Sequence, residues 1–147
     1  MSLRQKNPSA DFRDEAGRWL AFARGDLDSA RTLLGTNTPN RNVGYLAQQS
    51  GEKALKAAIL LNNAPFEMTH DLTAVAAQLP ADFLSPVGTA DLAWLADLET
   101  SARHPDEGDT ITGDDAQRAV GMTDSILVAV AAHFTSHGID EEQIDPE

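Results

Sequence analysis

The chain has 147 residues, a net charge of −12 and no cysteine. That length suits one domain able to bury a core without staples, and the missing cysteines exclude disulfides, thiolate catalysis and zinc–thiolate sites. The acidity disfavours broad nucleic-acid binding, which needs a basic footprint. The charge is uneven: 106–115 and 139–147 each carry five acids and no base. Both read as solvated stretches, so a local basic pocket elsewhere stays compatible with the total. Eight aromatic residues offer no evident base-stacking platform. No apolar run approaches the roughly 20 residues of a membrane span, and Met1–Phe12 has no apolar signal-peptide region. No membrane association is expected, and the cytoplasm is the expected location.

In chain order, Phe12, Ala16, Trp19, Ala23, Leu27, Ala30 and Leu34 recur at three- and four-residue intervals. They form one helical stripe, with Ser9 as N-cap and Gly35 and Pro39 ending it. A second helix is expected from about Arg41 to Leu61, stopped by Asn62-Asn63-Ala64-Pro65. Thr69 caps a short third helix reaching about Leu79, before Pro80. A fourth spans Gly88 to Ala102, carrying Leu92, Leu95 and Leu98, with Pro105 beyond. Thr112-Gly-Asp-Asp115 resembles a capping box and opens a last helix to about Ser136. No period-2 run suggests a strand. The fold class is therefore all-α: an antiparallel up-and-down bundle of four long helices plus one short helix. One domain is expected over 9–137, with flexible termini at 1–8 and 138–147.

The second helix carries the anomaly. Tyr45, Gln48, Glu52, Leu55 and Ile59 share one face, apolar at both ends and polar in the middle. The adjoining stripe, Leu46, Gln49, Lys53 and Leu60, repeats the pattern. Buried polar groups cost free energy unless matched, so these residues find partners within the fold or line a working surface.

Several segments in fixed order resemble a known family. They are Ala23-Arg-Gly-Asp-Leu-Asp-Ser-Ala30, Gln48-Gln-Ser-Gly-Glu-Lys-Ala-Leu-Lys-Ala57, Thr69-His-Asp-Leu72 and Ala102-Arg-His-Pro105, followed by a long Ala-rich helix. Together, over roughly 11–135, they are similar to the HEPN family, named for nucleotide binding in higher eukaryotes and prokaryotes. Where many relatives have Ala-Arg-Tyr-Pro, this chain has His104. The resemblance implies a helical bundle that usually forms a homodimer. It also implies frequent pairing with a nucleotidyltransferase partner in prokaryotic toxin–antitoxin or defence systems.

Many HEPN members are metal-independent ribonucleases using Arg, four to six residues, then His. No Arg in this chain has a His at that spacing, so the family's catalytic residues are not carried over.

The candidate ligand-binding patch is Gln48, Glu52, Lys53, Lys56, His70 and Arg103. Lys53 and Lys56, three apart, are read as presenting two ammonium groups to a phosphate. Glu52 alternatively pairs with Lys56 at i,i+4. His70 lies in the first turn of a helix, where the positive helix end favours a neutral ring. Arg103 and His104 suit a helix C-terminus electrostatically, and Arg103 also suits bidentate phosphate recognition. The expected geometry brings Glu52, Lys53, His70 and Arg103 to one pocket. His70, Arg103 and His104 are the residues a displaced ribonuclease site would use.

His133 and His137 have metal-binding spacing, but Gly138 separates them from Glu141, so no metal is expected. No cofactor motif is present. The leading expectation is a binding and interaction module. The alternatives are a ribonuclease with a non-standard site and a purely structural dimerisation domain.

Overall fold

A computed structural model describes residues 10–62, 72–80, 83, 87–103 and 111–139. Five helices follow one another: α1 (Ala10–Leu33), α2 (Asn40–Leu61), α3 (Leu72–Ala76), α4 (Thr89–Arg103) and α5 (Gly113–Ser136). No strand occurs among the described residues. The long elements begin and end within one residue of where periodicity and stop signals put them.

α3 is the exception, ending at Ala76 where the sequence suggested Leu79. Gln78 N–H donates to Val75 O at 3.1 Å and Leu79 N–H to Ala76 O at 3.0 Å. These i→i+3 bonds tighten the chain into turns ahead of Pro80, which disfavours a helical residue before it.

Cross-helix contacts fix the directions. Ser50 meets Ala23 and Lys56 meets Trp19, so α1 and α2 run antiparallel. Thr123 meets Ala47 and His133 meets Asn62 in the same order, so α5 runs parallel to α2. Arg31 meets Asp124 and Arg13 meets His137 in opposite order, making α1 and α5 antiparallel. That is up-down-up-down with α2 and α5 as the diagonal pair.

The diagonal closes because α2 is lined with small residues. Ala47, Ala54, Ala57 and Ala58 are fully buried. A Cβ on Gly51 would sit 3.4 Å from Ile126 Cδ1 of α5, and on the α4 side one on Gly44 would sit 3.3 Å from Leu98 Cδ1. Leu20, Leu55, Leu61, Leu72, Leu95, Ile126 and Phe134 fill the core around them. At roughly 25 cal/mol per Å² of apolar surface removed from water, this packing drives the fold.

The ends of α5 are built in detail. At its start, Asp115 N–H donates to Thr112 Oγ1 at 3.0 Å and Thr112 N–H donates to Asp115 Oδ2 at 3.1 Å. This is the reciprocal capping box expected from Thr112 and Asp115. Thr112→Ala is expected to cost about 1 kcal/mol, read as a lower urea midpoint at unchanged slope.

At the other end, Gly138 N–H donates to Thr135 O at 2.9 Å and Ile139 N–H to Phe134 O at 3.1 Å. Gly138 has φ +81°. This is a Schellman motif, with buried Ile139 and Phe134 as its apolar pair. The sequence suggested a flexible tail from 138. This motif ties Gly138 and Ile139 to the core, and residues 140–147 lie outside the described residues.

By length and composition α5 is also apolar enough to cross a bilayer. A search for uninterrupted apolar runs overlooks it because Thr123, Asp124 and Ser125 break the run. In this fold α5 buries Ala116, Ala119, Ile126, Val130 and Phe134, and Ile126 closes on Gly51 of α2.

Candidate functional site

The polar break in α2 is real, and the structure divides it into a buried floor and an open edge. Glu52 and Lys56 form the floor. Lys56 Nζ lies 2.7 Å from Glu52 Oε2, with the two side chains 5% and 4% exposed. Lys56 Nζ also stands 5.6 Å from the Trp19 ring centroid, a cation–π distance that brings α1 over the pair. Two charges removed from water to this degree are held by each other and by such contacts.

The open edge is Gln49 and Lys53. Lys53 Nζ bonds Asp26 Oδ2 of α1 at 2.7 Å, with side chains 27% and 24% exposed. Beneath it, Ser50 Oγ donates to Ala23 O at 2.6 Å. Lys53 and Lys56 therefore do not act together as the sequence suggested. One turns to the α1 rim and the other turns inward to Glu52, so Lys56 offers no ammonium to solvent. Side chains three apart on a helix are neighbours, but α1 meets these two with different residues, Asp26 at Lys53 and Trp19 over Lys56.

Gln48 links floor and edge. It is fully buried. Its Oε1 accepts from Gln49 Nε2 at 2.8 Å. Its own Nε2 is buried with no hydrogen-bond partner. Leaving a buried donor unmatched costs about 1–3 kcal/mol.

The pocket expected from Glu52, Lys53, His70 and Arg103 is only partly within view. Arg103 closes α4, but its side chain, His70 and His104 lie outside the described residues. Within them, Glu52 and Lys53 point to different partners. Three contributors were missing from the sequence-based patch: Trp19, Asp26 and Gln49. A signal existed for the first two. Trp19 and Asp26 are seven apart on α1, hence on one face, and that face meets α2.

A separate cleft of about 470 Å³ lies between α1 and α5, lined by Arg24, Leu27, Arg31, Asp124 and Val128 among others. None of the α2 stripe lines it. Arg31 there bonds Asp124 and lies 3.7 Å from Asp28, so its charges are already matched across the cleft. On the opposite side of α5, Arg118 bonds Asp91 at 3.0 Å and stacks 4.0 Å over Trp94, pinning α4. No group of three or more metal-ligating side chains occurs among the described residues.

Residues 16–133, from the second turn of α1 to the last turn of α5, match the HEPN domain family. The chain belongs to the HEPN family. Among solved structures, the HEPN bundle described here is similar to TT1696 from Thermus thermophilus. The two share 25% identity with a TM-score of 0.71, over 82% of this chain and 98% of that one. No curated protein matches the chain. Membership makes this HEPN bundle a nucleotide- or RNA-related module. Within it, the α2 stripe with its Gln-Gln-x-x-Glu-Lys sequence is the polar element that the core does not absorb.

Proposed function

We propose that this HEPN chain is a binding and interaction module. It takes a nucleotide or a short RNA at the open edge of the α2 stripe, with no chemistry of its own. Lys53 supplies the charge for a phosphate, and the half-buried Gln49 amide, positioned by the buried Gln48 through its Oε1, supplies a directional donor beside it. In this reading the chain acts as a homodimer in the cytoplasm, with a nucleotidyltransferase partner in a prokaryotic toxin–antitoxin or defence-type system.

The observation that carries the proposal is the buried, unmatched amide of Gln48. A helix with only structural duties gains nothing from that group, and an apolar side chain of similar volume would fill the space at lower cost. A purely structural stripe is less well supported. The Glu52–Lys56 pair ties α2 to itself at i,i+4, so the pair on its own does not select a neighbouring helix.

The test is thermal unfolding of the full chain with ATP, GTP and a short structured RNA at low salt. Native-state ligation raises stability, by about 2.7 kcal/mol at a hundredfold excess over Kd. A rise in Tm with at least one of them, without cleavage of the RNA, is the expected result. No shift at millimolar nucleotide and with RNA overturns the reading, as does cleavage abolished by His70→Ala or His104→Ala.

A further inference from the structure

The C-terminal end of α5 holds a second cluster, built from residues the α2 site does not use. His133 and His137 lie one turn apart, with ring centroids 4.5 Å apart and planes at 63°. Each ring is held by a group that settles its tautomer. His133 Nε2 lies 2.7 Å from Asn62 Oδ1, at the end of α2. An amide oxygen only accepts, so Nε2 carries the hydrogen and Nδ1 keeps its lone pair. His137 Nδ1 lies 3.0 Å from the His133 carbonyl oxygen. The same logic puts the hydrogen on Nδ1 and the lone pair on Nε2.

The surroundings hold both rings in place. Phe83 packs edge-on to His133 at 5.2 Å, and Ser136 Oγ donates to His133 O at 2.7 Å. Ser136 Oγ also stands 3.4 Å from His137 Nδ1. From α1, Arg13 donates to His137 O at 3.3 Å. Burial, and next the neighbouring His137, hold the pKa of His133 below its ordinary value.

We propose that His133 and His137 form a two-imidazole site for a divalent transition cation of the zinc class, with water completing the coordination. Imidazole suits such cations, and two His at i,i+4 lie on one helix face as metal binding requires. With metal–nitrogen bonds of about 2.0–2.1 Å and a tetrahedral angle, two ligating rings stand on the order of 5 Å apart, close to the spacing here. Imidazole N–H groups donated to carbonyl oxygens are the arrangement that orients metal-bound histidines. Spacing alone directs attention to Glu141 as a third ligand, and a tautomer is not visible in spacing. With no third protein ligand among the described residues, binding is exchangeable. Its effect is to clip the last turn of α5, and with it the Asn62 contact to α2.

The test uses the full chain with Zn²⁺ or Ca²⁺ as the only added ion. Zn²⁺ is expected to raise Tm saturably at one ion per chain, while Ca²⁺, which prefers oxygen ligands, does not. His133→Gln and His137→Gln each remove the zinc response, and Asn62→Ala weakens zinc binding about tenfold. Long-range ¹H–¹⁵N spectra of the wild-type imidazoles provide a readout independent of the variants. Zinc is expected to move the lone-pair nitrogen of both rings. An equal response to Ca²⁺, a zinc response retained in both His variants, or unmoved nitrogens in the wild-type spectra overturns the site.

Discussion

Replacing Lys56 with methionine is expected to lower the unfolding free energy by about 3–5 kcal/mol, the usual cost of breaking a buried ion pair. The size follows from burial. Glu52 and Lys56 are 4% and 5% exposed at 2.7 Å separation, and the variant leaves a carboxylate in that setting without its ammonium. An exposed i,i+4 pair is worth only about 0.3–0.5 kcal/mol, so the two cases are easily told apart. The double variant Glu52→Leu/Lys56→Met is expected to recover most of the loss, because removing both charges also removes their desolvation. Urea unfolding at constant slope reads both. A single-variant loss below about 1 kcal/mol would mean that water reaches the pair, and the floor of the site would then be wrongly described.

Gln48→Met is expected to act in the opposite direction, raising stability by about 1 kcal/mol. The variant deletes a buried donor that has no acceptor and keeps nearly the same volume. Gln49 loses the oxygen it bonds, but it is only half-buried and water can replace that contact. A single substitution that stabilises a core is uncommon, since most cost about 1 kcal/mol. The gain would identify Gln48 as a residue retained at a cost to the fold, which is the pattern expected where function sets the residue. A loss of more than about 1 kcal/mol would instead make the amide structural.

The fold was legible because its signals are local. The α1 stripe, Gly35 before the second helix and the Thr112–Asp115 capping box each act within a few residues, and each lies where the sequence put it. The HEPN resemblance was legible for a related reason: it rests on short segments in fixed order. Gly138, by contrast, reads in the sequence as the start of a loose tail. A positive-φ glycine followed by Ile139 closes a Schellman motif only if Phe134 is buried, and that burial is a tertiary fact.

The site was legible as a polar break and little further. Lys53 and Lys56 look equivalent on a helix wheel. What separates them lies on α1: Asp26 takes Lys53 from 27 positions away, and Trp19 covers Lys56. Side-chain direction is decided by which neighbour crosses the helix, and helical periodicity does not carry that information.

Isothermal titration of ATP into the wild type and into Gln48→Met tests the central claim most directly, that the α2 polar stripe serves binding and not packing. Saturable binding to the wild type is expected. Binding to the variant is expected to be at least about tenfold weaker, equivalent to some 1.4 kcal/mol, in a protein that is itself more stable. Equal affinity in the two proteins, or a variant weakened in binding and stability together, would contradict that claim.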